Sequence, residues 1–457
     1  MEIGNPQNLS EATIFSAYTG EPAFFWDDRN KELNLWKTDG ASKNDLHLAT
    51  FPVNNHSDFN GSLPKFHALG ERVLFWVDDG KHGFELWASD GTQTGTQLLV
   101  NASLAYEPTS LQTATYYYFI ANDSGQGYTN PATLWRTDGT AAGTQAIAHF
   151  AGGEYFSLID SPHDGLLIVS KSNAAMDTLT LFSLNTETTQ QQHIHTFKGN
   201  APLVDGSHFF GKYLYFALSD MGQHDPDEWW RTDLTDAGTQ RLLSVPLMNG
   251  EWKEAPHLFS FGQYAYYMAM DGIRPAGLWQ TDGTAAGTKA LLESKGGQYN
   301  GDSGQDWPAI PVPFVVRGDK LIFPTFSQHS PYSRQYSQLW SLSSTHADKL
   351  VLLGEFMNPM LLRPHEADHS SPLYFSTEHE RWQTDGTPAG TKVVGIDPLR
   401  TRWKAHEWKD SEGIGTPFPL NTTPPTWLVT YDDPQHGWEL WVTDSTLKNT
   451  HRLALNK

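Results

Sequence analysis

The sequence predicts an all-β chain, a single β-propeller of about nine four-stranded blades spanning residues 1–457. Three observations predict it. A segment of about fifty residues recurs along the whole chain. Each copy divides into short apolar runs bounded by Gly, Asp and Asn. No window carries helical periodicity flanked by caps.

The repeat is plainest around its tryptophans. LNLWKTDG, FELWASDGTQTGT, TLWRTDGTAAGT, EWWRTDLTDAGT, GLWQTDGTAAGT, RWQTDGTPAGT and ELWVTDST vary one motif, centred on Trp36, Trp87, Trp135, Trp230, Trp279, Trp382 and Trp441. Two double-length gaps each hold a degenerate copy, LTLFSLNTET around Phe182 and QLWSLSSTHAD around Trp340. Those two copies mark less regular blades near 160–200 and 310–355. If one folds as an insertion the count is eight, the upper end of the usual range of about four to eight.

Within a copy, LPKFHALG, ERVLFWVDDG, FELWASDG and TQLLVNAS read as four successive strands. In TDGTxxGT the Asp caps its own turn, the first Gly supplies positive φ, and the Thr hydroxyls lock the return strand. A residue repeated in every copy is most simply explained by packing repeated in every copy, so the tryptophans are expected between neighbouring blades rather than as sugar-stacking platforms. The pairs Asp27–Asp28, Asp78–Asp79 and Asp432–Asp433 lack the ligand density of a calcium loop and read as turn caps. Ring closure has two versions. In one, TIFSAYTG is an innermost strand and the termini share no sheet. In the other it is an outermost strand pairing with HRLALN of the last blade.

These copies closely resemble the bacterial ELWxxDGT repeat family, with Glu85-Leu86-Trp87 and Glu439-Leu440-Trp441 nearest to its opening triplet. The resemblance covers nearly the whole chain and implies a bacterial propeller that is secreted, periplasmic or displayed at the cell surface. It implies no common activity.

Composition narrows the partners. A net charge of −21, from 31 basic and 52 acidic residues, comes without any Lys/Arg run, so neither nucleic acid nor an anionic membrane is expected to bind. With no cysteine, thiol catalysis, Zn–thiolate sites and iron–sulfur clusters are excluded. No apolar stretch approaches the roughly eighteen residues of a spanning helix. The N-terminus MEIGNPQNLSEA has neither the basic region nor the apolar region of a signal peptide. A monomer is expected.

In an up-and-down blade alternate loops emerge on the same face, so the DGTxxGT loops and the tight LG turns share one face. The variable loops are expected on the other, where ligands of propellers gather. The richest are 249–257, 296–308, 361–372 and 400–413. They carry Trp252, His257, Tyr299, Asp302, Trp307, Arg363, His365, Glu366, His369, Trp403, His406, Glu407 and Trp408, side chains suited to a glycan, another protein or a small polar ligand.

His365-Glu366-Ala367-Asp368-His369 matches H-E-x-x-H, which on a helix holds zinc between two imidazoles with the Glu as general base. A third ligand would come from His406 or His257, and copper is a second candidate metal. Pro364 can open a helix there, but Pro372 limits it to about two turns. Two functions follow. The first is an exported propeller binding a glycan or other polar ligand at its irregular face, with Trp252, His257, Asp302, Trp307, Trp403, Glu407 and Trp408 as contacts. The alternative is an enzyme in the same mouth. It would be metal-dependent through Glu366, His365, His369 and His406, or a polysaccharide lyase or hydrolase using Tyr299 as base and Arg363 against a uronate carboxylate.

Overall fold

A computed structural model describes residues 14–16, 23–29, 32–39, 45–52, 64–78, 84–104, 109–122, 131–199, 202–220, 228–244, 259–271, 274–284, 286–292, 314–327, 336–357, 360–361, 372–377, 380–396, 418–420, 426–433, 437–444 and 449–452. These residues form nine four-stranded antiparallel sheets, at 14–52, 66–104, 110–150, 154–198, 202–244, 259–292, 315–357, 360–396 and 418–452. In each the strands pair in chain order, so every sheet is one uninterrupted meander. Both degenerate copies therefore build sheets of their own, and neither is an insertion. Ile14–Ser16 pairs with Ala23–Phe25 of its own sheet, so this strand does not staple the last sheet.

The second and third strands are apolar on both faces because both faces are covered. Val73 to Val77 are all buried, as are Tyr117 to Ala121. Consecutive sheets pack face to face. Leu74, Trp76 and Leu86 of the second sheet lie with Tyr117, Phe119 and Ala121 of the third. Leu321, Phe323 and Leu342 of the seventh lie with Phe261, Tyr266 and Leu278 of the sixth.

The repeat tryptophan belongs to this packing, as the sequence predicts. Trp87 meets Phe51 of the preceding sheet edge-on, Trp230 meets Phe197, and Trp382 meets Phe356, each at 5.0 Å between ring centres. Edge-on pairs of this kind add about 0.5–1.5 kcal/mol beyond the area they bury. In eight sheets the pairing of third with fourth strand slips by one residue immediately before this aromatic position, from Leu35/Trp36 to Arg381/Trp382. The extra residue lies on the fourth strand, Leu99 in the second sheet, and Phe84, Glu85 and Leu86 of the third strand are buried in succession because both its faces are covered. The opening Glu of the E-L-W triplet has a function here: Trp87 Nε1 donates to Glu85 Oε2 at 3.3 Å, and Trp382 Nε1 to Glu380 Oε2 at 3.2 Å.

The degenerate fourth sheet has long strands of 10, 8, 8 and 8 residues, and its first and second strands pair with register shifts at Leu158/Asp160 and Asp160/His163. Its turn uses Asn185 in place of Asp-Gly-Thr, the side-chain oxygen accepting from the amides of Glu187 at 3.0 Å and Thr188 at 2.8 Å. A different cap closes an equivalent hairpin.

Candidate functional site

The two ends of the sheets are built differently. At one end lie the turns from first to second and from third to fourth strand, and there one hydrogen-bond set recurs. In the second sheet Asp90 Oδ1 accepts from the amide and hydroxyl of Thr92, at 3.0 and 2.7 Å. The Thr92 hydroxyl accepts from Gly95 N, and Thr96 Oγ1 donates to Thr92 O. Ser89 Oγ, 2.8 Å from Thr96 Oγ1, accepts from Gly91 N. The third, fifth, sixth and eighth sheets repeat the set. The second Gly of DGTxxGT is there for space, since a Cβ at Gly95, Gly143 or Gly390 would collide with the turn carboxylate. The Thr387 hydroxyl holds the Asp385 carboxyl below the usual carboxylate range, so these turns carry fixed negative charge at neutral pH.

In four sheets the residue after the repeat aromatic reaches the turn of the following sheet. Lys37 Nζ donates to Gly91 O at 3.2 Å, Arg231 donates to Gly283 O, and Ser341 Oγ donates to Gly386 O at 2.8 Å. Arg136 Nη1 reaches Glu187 at 2.6 Å. The sequence analysis passed over these contacts, although a long polar side chain between Trp and Thr in several copies was their signal.

First strands of neighbouring sheets lie side by side, and polar side chains bridge them. Gln112 donates to Ala68 O, Ser207 Oγ to Ile159 O at 2.8 Å, and the His208 ring shares a hydrogen bond with Ser260. Burial pushes the His208 imidazole down, so it is neutral at pH 7, and pushes the Asp160 carboxyl up. The first strands thus offer several hydrogen-bonding groups, an arrangement that can hold a polar ligand.

Trp252, His257, Tyr299, Asp302, Trp307, Arg363, His365, Glu366, His369, Trp403, His406, Glu407 and Trp408 all fall outside the described residues. The flanking strands nevertheless show where their segments leave the sheets. The connections 245–258, 293–314 and 397–417 each join a fourth strand to the next first strand, at the end opposite the DGT turns. The segment 362–371 differs. It joins a first strand, ending at Leu361, to a second strand that begins at Leu373, and Leu373 pairs with Thr384 directly before the Asp385 turn. Both its ends thus leave at the DGT end, correcting the expectation that all four segments share one face.

Asp27, Asp28, Asp78, Asp432 and Asp433 lie within second strands rather than at a turn. Among the described residues no three His, Asp or Glu side chains are placed to hold a metal ion. Among the same residues no helix is long and apolar enough to cross a membrane.

No family model and no curated protein matches the chain. Solved structures do. One from an analysis of two prolyl endopeptidases is 10% identical with a TM-score of 0.40, over 97% of this chain and 55% of that one. A puromycin hydrolase is 12% identical at a TM-score of 0.43, over 86% and 60%. TolB from Acinetobacter baumannii is 12% identical at 0.32, over 75% and 78%. The chain spans less than two thirds of the first two.

Proposed function

We propose that the nine sheets close into one ring, a β-propeller, which binds a polar ligand, a glycan in the first instance, at the end opposite the DGT turns. Closure is supported by the faces of the first sheet. Phe25 and Trp36 are only 1% and 2% exposed, yet they point away from the second sheet, in the direction in which Trp87 meets its predecessor. The first strand of this sheet also lies beside that of the ninth.

The observation that carries the binding reading is the inequality of the two ends. One is tied down by the recurring turn set, whereas the connections 245–258, 293–314 and 397–417 attach at the other. Irregular segments on a rigid frame are where recognition concentrates. Those three segments contain Trp252, Trp307, Trp403 and Trp408, whose rings suit the apolar faces of sugars, and His257, Asp302 and Glu407 suit their hydroxyls. Screening on a glycan array followed by titration calorimetry tests the reading. Trp307→Ala and Trp408→Ala should each weaken the selected glycan at least about tenfold, or roughly 1.4 kcal/mol, with the melting temperature unchanged. Undiminished affinity in both variants, or an array without any binder, would remove the glycan reading.

A further inference from the structure

In three sheets a tyrosine on the second strand stands directly across from a long polar side chain on the third: Tyr118 from Arg136, Tyr215 from Arg231, and Tyr266 from Gln280. Opposed residues on one face have Cβ atoms about 5 Å apart, so each pair acts as a unit. All three face the following sheet. Tyr118 Oη donates to Asp164 O at 2.6 Å and Arg136 binds Glu187, both in the fourth sheet. Arg231 donates to Gly283 O of the sixth. Tyr266 packs among Leu321, Phe323 and Leu342 of the seventh. In the first two cases the guanidinium also lies over a second tyrosine ring, Tyr116 at 4.7 Å and Tyr213 at 4.5 Å.

The third pair lacks these partners. Gln280 replaces the arginine, and the facing turn is the abbreviated Ser343–Thr345 of the degenerate copy, in which Ser343 has no glycine after it. Tyr266 is 0% and Gln280 3% exposed, and neither Tyr266 Oη nor Gln280 Oε1 meets a hydrogen-bond partner. Burial, helped by Tyr264, pushes the Tyr266 hydroxyl up to about 12. By contrast Arg136 and Asp164 act on Tyr118, and Arg231 and Asp282 act on Tyr215.

We infer that the interface between the sixth and seventh sheets binds one buried water molecule, bridging Gln280 Oε1 and Tyr266 Oη, at the place the third and fifth sheets give to an arginine, although Tyr215 Oη of the fifth is also without a hydrogen-bond partner. A carbonyl oxygen shut away from solvent needs a donor, and a hydroxyl needs both a donor and an acceptor. Water serves both, and buried waters characteristically join such groups. The occupant proposed is a neutral water, which can donate to one group and accept from the other. Glutamine is shorter than arginine, which leaves room for it.

The test compares Tyr266→Phe, Gln280→Met and the double variant by thermal unfolding, together with high-resolution diffraction from the unaltered protein. A shared water makes each single change lower the melting temperature, makes the double change cost less than the sum, and places a density peak within hydrogen-bond distance of both atoms. A dry interface makes Tyr266→Phe raise the melting temperature, because it deletes an unsatisfied hydroxyl, and leaves the two changes additive. That result, or density for an ion at the site, overturns the inference. If Gln280→Met fails to fold, the sign of Tyr266→Phe and the density decide.

Discussion

Asp45 stands where six other copies place a threonine, Thr96, Thr144, Thr239, Thr288, Thr391 and Thr450, whose hydroxyls lie 2.7–2.8 Å from a hydroxyl on the third strand. Its carboxyl is raised to about 6, chiefly by burial, with neighbouring Asp39 adding to the shift and the Thr38 hydroxyl opposing it. The folded state thus holds a proton that the unfolded chain releases near pH 4. Stability from this residue is full below that pH, falls as pH rises to 6, and stays low above. Because Asp45 is only partly buried, the effect is about 1 kcal/mol rather than the roughly 3 of an unscreened two-unit shift. Asp45→Thr should therefore stabilise the protein by about 1 kcal/mol at pH 7.5 and by much less at pH 4, read from urea unfolding at the two pH values. An equal gain at both would refute the protonation argument. A second residue-scale test concerns Gly283, with φ of 89°, where a Cβ would strike the Tyr215 hydroxyl; at Gly211, φ 59°, a Cβ meets nothing within 4 Å. Gly211→Ala should cost about 1 kcal/mol for backbone strain alone. Gly283→Ala should cost about 3 kcal/mol, since the hydroxyl must also move. Equal losses in urea unfolding would show that the close approach is inconsequential.

At the scale of the element, the hairpin between third and fourth strands decides whether a copy builds a sheet, and it accepts more than one chemistry. If Asn185 does for the fourth sheet what Asp138 does for the third, Asn185→Ala should lose two hydrogen bonds and about 1–2 kcal/mol, close to the loss for Asp138→Ala. Hydrogen exchange should show the loss first in the fourth strand, Gln191–Lys198. Protection unchanged there would mean that the cap is dispensable. The same hairpins mark the limit of what the sequence disclosed. Asp, Gly and Thr announced the turns because each has one conformational role, and the tryptophans announced the packing because they recur. The long strands of the fourth sheet stayed hidden, since an Asn cap without Gly resembles degeneracy. The bulge opposite the aromatic position stayed hidden too, because its extra residue, Leu99 in the second sheet, sits in an apolar run that looks like an ordinary strand. The reversed attachment of 362–371 could not be read at all: local composition identifies a connection, but only strand pairing shows the end from which it leaves.

For the whole molecule the question is what covers the outer faces of the first and last sheets. An open row of nine sheets would leave two apolar faces in water, with Phe25 and Trp36 on one and Leu428 and Leu440 on the other; all four are buried. Burying a large apolar side chain stabilises by about 1.5–3 kcal/mol, so four such residues outweigh the modest entropic cost of joining the ends. A ring also accounts for the absence, among the described residues, of a strand exchanged between the first and ninth sheets: nine interfaces of one kind suffice without a staple. The chain contains no cysteine, so two introduced thiols are the only labelling sites. Leu46 and His451 lie exposed on the fourth strands of the first and ninth sheets. Spin labels on Leu46→Cys and His451→Cys should report a distance below about 35 Å if these sheets are neighbours. At a sheet spacing of about 10 Å, an open row would separate them by about 80 Å. A distribution centred near the longer value would rule out the ring. The binding end would then lose its common opening, because the segments attached there would spread along a row instead of converging on one axis.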